Sequence, residues 1–143
     1  MKNSLRHIGI VTKNIDSSID FYKRFFKFQV CVDQIEKGHF IEKILGINNL
    51  KVRTVKLKNE HFMIEFLDFG DHSISSKNSL TSIGCSHFAL NVKNLEITYK
   101  DLIKNGVKFL SEPSLSKDKK ALVCFMKDPN NEFFIELVEQ INL

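Results

Sequence analysis

A chain of 143 residues, 43% apolar and 27% charged, has the makings of one soluble globular domain with a single substantial core. Its net charge of +4 comes from scattered lysines, not from a basic block. That argues against nucleic acid as a partner and leaves small anionic molecules open. The apolar run after Met1-Lys2-Asn3-Ser4 is already broken at Thr12, so neither a signal-peptide core nor a membrane span is expected. Cys31, Cys85 and Cys124 are an odd number in strand-like contexts, read as reduced, buried thiols of a cytoplasmic protein.

In chain order, residues 5–12 alternate as a strand with two differently used faces. A helix is expected over 16–26, with Asp16 as N-cap and Ile19, Tyr22 and Phe26 at helical spacing. Residues 27–33 read as a second strand, and 39–46 as a short helical or irregular piece closed by Gly46. Strands follow at 52–58 and 61–68, joined by the turn Lys58-Asn59-Glu60. The Ser-, Asn-, Asp- and Gly-rich residues 70–82 form a linker.

Beyond the linker the pattern returns. A strand at 85–92 leads into a helix at 95–105, with Asn94 at its start and Gly106 at its end. A strand at 107–111, a polar basic loop at 113–120 and a strand at 121–127 come next. In the turn Asp128-Pro129-Asn130-Asn131, Asn131 is expected to take the positive-φ position. Residues 132–139 are the last strand. Both halves thus read β-α-β-β-β. They also match residue by residue at an offset of 80: His7-Ile8-Gly9-Ile10 against His87-Phe88-Ala89-Leu90, and Lys13-Asn14-Ile15 against Lys93-Asn94-Leu95.

The two copies carry chemistry in matched places. Each has a histidine on its first strand, His7 or His87, and a glutamate in its last, Glu65 or Glu136. Period two puts Ile8, Ile10, Ile64, Phe66, Phe88, Leu90, Ile135 and Leu137 on the opposite face, under the helices. A mid-strand carboxylate between apolar neighbours is costly unless it is neutralised. A divalent cation does this, and two imidazoles with two carboxylates suit Zn, Ni, Co, Mn or Fe(II). Taken singly, a strand histidine is usually a satisfied core residue and a strand glutamate usually faces water.

The segments His7-Ile-Gly-Ile-Val, Ser18-Ile-Asp-Phe-Tyr22, Met63-Ile-Glu-Phe-Leu, His87-Phe-Ala-Leu-Asn-Val and Asp128-Pro-Asn-Asn-Glu-Phe-Phe-Ile-Glu136-Leu together resemble the vicinal oxygen chelate superfamily. That group holds glyoxalase I, methylmalonyl-CoA epimerase, fosfomycin-resistance transferases, extradiol dioxygenases and bleomycin-binding proteins. The resemblance implies an α+β fold in which two tandem βαβββ modules form a curled eight-stranded cup. It implies one domain over 1–143, with modules at 4–69 and 83–140. It places metal ligands at His7, Glu65, His87 and Glu136, with Glu65 or Glu136 as the catalytic base.

The four-ligand set is similar to glyoxalase I and, with Gln for one Glu, to the epimerase. The implied function is that of a metal-dependent lyase or isomerase moving a proton next to a carbonyl through a metal-stabilised enediolate. The alternative is a non-catalytic, ligand-sequestering protein of the same fold. Val11 and Phe69 stand where bacterial glyoxalase I carries glutathione-binding Arg and Asn, which argues against glutathione; Asn48-Asn49-Leu50 stand where the epimerase has its glutamate base.

A small-molecule substrate and a homodimer are expected, with no membrane or nucleic-acid partner. Arg53, with Lys51 and Lys56, is a candidate anion site or a solvated group. Lys117, Lys119 and Lys120 lie in a charged surface loop, His39 in the insertion that walls the pocket, and His61 and His72 at the surface. Cys85, two residues before His87, is within reach of a metal there, although a structural role is the plainer reading.

Overall fold

The computed structural model describes residues 4–75 and 79–141. Residues 76–78 of the expected linker and the leading Met1-Lys2-Asn3 fall outside them. The chain forms two compact units, Met1–Ser75 and Ser76–Leu143, dividing inside that linker.

The first unit runs β1 (Ile8–Val11), α1 (Ile15–Phe26), β2 (Gln29–Lys37), α2 (His39–Leu45), β3 (Lys51–Lys58) and β4 (Met63–Asp68). The second runs β5 (His87–Asn91), α3 (Leu95–Lys104), β6 (Ser114–Leu115), β7 (Ala121–Lys127) and β8 (Phe134–Gln140). Each unit holds one four-stranded mixed sheet, ordered β1-β4-β3-β2 and β5-β8-β7-β6. In both, the first strand lies parallel to the last and the others pair antiparallel. The repeat seen in the sequence is therefore a repeat of topology.

Burial follows the alternation. In the first sheet Ile64 and Phe66 are fully buried, and in the second Ile135 and Leu137 are. The helix α1 turns Ile15, Ser18, Phe21 and Tyr22 inward, and the Tyr22 ring meets Phe66 edge-on at 5.3 Å. Leu95 and Leu102, two turns apart, do the same for α3. A smaller apolar cluster joins α2 to the first sheet: Ile41, Leu50 and Val52, with Leu67 and Phe69 packed against them.

Several expectations are corrected in detail. The cap of α1 is Asn14, whose side chain accepts from Ser17 N at 3.1 Å; Asp16 instead lies in the first turn. That matches Asn94, which accepts from Ile97 N at 2.8 Å at the head of α3. The second strand starts at Gln29, because Lys27 takes a left-handed φ of 58° to close α1, with Phe28 N bonding back to Tyr22 O.

Residues 107–111 are not a full strand. They contribute a single bridge, Phe109 to Met126, and the ladder resumes as β6 within the stretch read as a loop. Pro113 separates the two pieces, having no N–H to give a ladder. Asn131 is buried and lies outside the positive-φ residues, a position Lys119 takes instead in the preceding hairpin.

Two of the three thiols also differ from expectation, since Cys31 and Cys85 are exposed and only Cys124 is buried. Burial, with the negative charge of Glu96 adding to it, pushes the Cys124 thiol up to about 11, so it stays protonated and inert at neutral pH. A thiol reagent at neutral pH should modify two cysteines promptly and the third only after unfolding. Three fast thiols in the native protein would contradict this burial.

Candidate functional site

The first unit brings His7 and Glu65 together. His7 immediately precedes β1, and β1 runs parallel to β4 with Gly9 opposite Glu65. His7 Nε2 stands 3.1 Å from Glu65 Oε2, with the two side chains 27% and 15% exposed. The other ring nitrogen, Nδ1, is buried with no hydrogen-bond partner. Glu65 has a second partner that sequence reasoning placed elsewhere. Lys56 lies directly across the β3–β4 ladder and its Nζ is 3.3 Å from Glu65 Oε1.

The second unit builds the same pair with different neighbours. Ala89 stands opposite Glu136 where Gly9 stands opposite Glu65. His87 Nε2 is 3.6 Å from Glu136 Oε2, with side chains 35% and 25% exposed. Ser86 Oγ and His87 Nδ1 are 2.8 Å apart, and Phe125 packs edge-on against the ring at 5.0 Å. Phe125 occupies the ladder position across from Glu136, where the first unit has Lys56. Each unit therefore holds one such partly buried imidazole–carboxylate pair among the described residues, while His61 and Glu60, 3.7 Å apart, are both exposed. Among the described residues, no group of three or more His, Cys, Asp or Glu side chains stands together within a unit.

The other candidates separate clearly. Arg53 is not a free anion anchor. Its guanidinium makes two bonds to Asp33, at 3.0 and 2.9 Å, and a third to Asp16 at 3.0 Å, tying β3 to β2 and α1. The Asp33 bonds hold the Arg53 guanidinium above its ordinary pKa, and the same contact draws the Asp33 carboxyl below its own. His39, His61, His72, Lys117, Lys119 and Lys120 are exposed. Cys85 Sγ bonds weakly to His87 O at 3.8 Å and is otherwise at the surface.

The spacing within each pair has a chemical meaning. Two donor atoms each about 2.1 Å from one ion lie about 3.0 Å apart at a right angle and about 3.4 Å apart at a tetrahedral angle. The observed 3.1 and 3.6 Å are close to those two edges. One imidazole and one carboxylate per unit also form the donor set that borderline divalent metals prefer. The residues present fit such an ion.

Residues 4–137 match the Glyoxalase/Bleomycin resistance protein/Dioxygenase superfamily. The chain belongs to this superfamily. A relative, the mitochondrial methylmalonyl-CoA epimerase of Dictyostelium discoideum, is 30% identical over 144 residues, covering 95% of this chain and 78% of that protein.

Among solved structures, a glyoxalase family protein from Bacillus cereus aligns with a TM-score of 0.85 at 18% identity, over 99% of this chain and 98% of that one. The trypanothione-dependent glyoxalase I of Leishmania major aligns with a TM-score of 0.69 at 20% identity, over 96% and 87%. At such identities these matches establish the fold: α+β, two tandem modules, of the vicinal oxygen chelate type. The glyoxalase superfamily includes enzymes as well as resistance proteins, and its members typically hold a divalent metal ion. No helix among the described residues is long and apolar enough to cross a membrane.

Proposed function

We propose that this glyoxalase-superfamily protein is a divalent-metal-dependent lyase or isomerase that moves a proton next to a carbonyl in a small oxygenated or thioester substrate. His7, Glu65, His87 and Glu136 are its metal ligands, and a glutamate of the set is the base. The observation that carries this reading is the pair repeated in both units, with Nε2-to-Oε2 separations of 3.1 and 3.6 Å that match neighbouring positions around one ion. When bound, the ion supplies Lewis-acid stabilisation of negative charge developing on a substrate oxygen.

The chain's own residues supply the rest. His87 is oriented by what it touches, Ser86 at Nδ1 and the Phe125 ring edge-on. A carboxylate of the set takes the proton from carbon and returns it, a role that needs a base within hydrogen-bond reach of that carbon. The likeness to an epimerase supports proton movement beside a carbonyl as the reaction type.

One observation favours the second reading, a ligand-sequestering protein without a metal. Lys56 already balances the charge of Glu65. Calorimetric titration with Zn²⁺ or Mn²⁺ separates the two. The enzyme reading expects one ion per chain and a weaker affinity on changing any of the four ligands. No binding, or two independent ions per chain, would defeat it.

A further inference from the structure

The two units differ in the residue that the antiparallel neighbour strand sets across from the carboxylate. Across from Glu65 stands Lys56, and across from Glu136 stands Phe125, each fixed by the same antiparallel register. Lys56 is a partly buried lysine, 23% exposed, on the strand face that also carries Glu65 and not on the helix-packed face of Val55 and Leu57. Its ammonium is 3.3 Å from Oε1, while His7 approaches Oε2 of the same carboxylate. Both oxygens of Glu65 are thus engaged.

We propose that Lys56 is an internal counter-ion that competes with the metal for Glu65 and so sets how tightly this chain holds a divalent cation. It is a positioning residue, acting through Glu65. This rests on the metal reading above and deepens it by making the two half-sites unequal.

A carboxylate that is salt-bridged to an ammonium offers a dication less electrostatic gain than a bare one, because part of its field is already spent. An ion bonded to Glu65 also stands one carboxylate away from a positive charge. Repulsion between a dication and an ammonium roughly 6 Å apart lowers affinity about tenfold even at the dielectric constant of water, and more when partly buried. The second half-site has no such penalty, since an aromatic ring occupies the equivalent place. Glu136 would therefore attract a dication more strongly than Glu65 does while Lys56 is paired with Glu65.

Removing the ammonium should strengthen binding, an outcome that a merely structural role for Lys56 does not produce. Lys56→Met keeps length and removes charge. The strand face accepts an apolar residue there, as Phe125 shows at the register-equivalent position. The probe is Zn²⁺ alone, titrated calorimetrically into the full chain, with circular dichroism melting to confirm that each variant is folded. Lys56→Met should bind at least about tenfold more tightly than wild type, and Lys56→Arg should stay within about threefold of it, since the cation is kept.

Equal or weaker binding by a folded Lys56→Met overturns the inference while leaving the metal reading standing. Binding by Lys56→Met but not by wild type overturns the metal reading of the native chain, and the inference with it. Binding by neither overturns both.

Discussion

Glu136→Gln is expected to lower divalent-metal affinity by roughly a hundredfold and to slow proton transfer by 10²- to 10⁴-fold, roughly the range that a positioned acid–base group contributes. Glutamine keeps the shape and one acceptor oxygen and loses the charge. The loss is large at this position because Glu136, unlike Glu65, pairs with no lysine or arginine among the described residues. Glu136 has His87 at 3.6 Å and Phe125 across the ladder, so its negative charge is the one the second unit offers an ion.

Glu65→Gln should cost less metal affinity, since the charge it removes is already balanced by Lys56 at 3.3 Å. The fold should be unaffected in either case: both side chains lie on the face away from the fully buried Ile64, Phe66, Ile135 and Leu137. Metal titration and thermal melting of the two variants, side by side, check the order of effects. A Glu136→Gln protein that binds zinc as tightly as wild type would exclude this glutamate from the ligand set.

The parts of the structure that were legible in the sequence were those written twice. The paired strands, their two faces and the matched His and Glu positions all came from period-two alternation combined with an internal offset. Each half constrains the other when it is read that way. Asp16 and Asn14 are both good caps by residue type, but the repeat aligns Asn14 with Asn94, and the structure caps both helices with those asparagines.

The sixth strand was misplaced for a different reason. A two-residue ladder after a proline has too little periodicity to announce itself, and its register is set by β7 alone. Lys56 was visible but misassigned. A loop over 59–62 pairs Lys58 with Met63 and hence Lys56 with Glu65, and the structure has that register. Treating the turn as Lys58-Asn59-Glu60 hid it. Arg53 was misjudged as free because its partners come from β2 and α1, elements distant in sequence that no local pattern links to β3.

Phe66→Ala should destabilise the protein by about 3–5 kcal/mol, the usual cost of deleting a fully enclosed phenyl ring. Phe66 is 0% exposed in β4, directly beside Glu65 in sequence and pointing to the other face. Its ring meets Tyr22 of α1 at 5.3 Å, and across the ladder it faces Val55, also fully buried. The cavity would open between the helix and the sheet, where Tyr22 is itself held by Phe28 at 5.8 Å and cannot relax far.

A chain of this length loses about 3 °C of melting temperature per kcal/mol, so a fall of about 10 °C or more is expected by calorimetry or circular dichroism. Phe66→Leu is the informative partner. The second unit carries Leu137 at the register-equivalent position, fully buried under its own helix, so the fold tolerates that side chain there. Leucine should restore more than half of the loss. A Phe66→Ala loss below about 1 kcal/mol would mean that α1 can close down onto the sheet. The rigid platform that holds Glu65 opposite Lys56 would then have to come from the β3–β4 ladder alone.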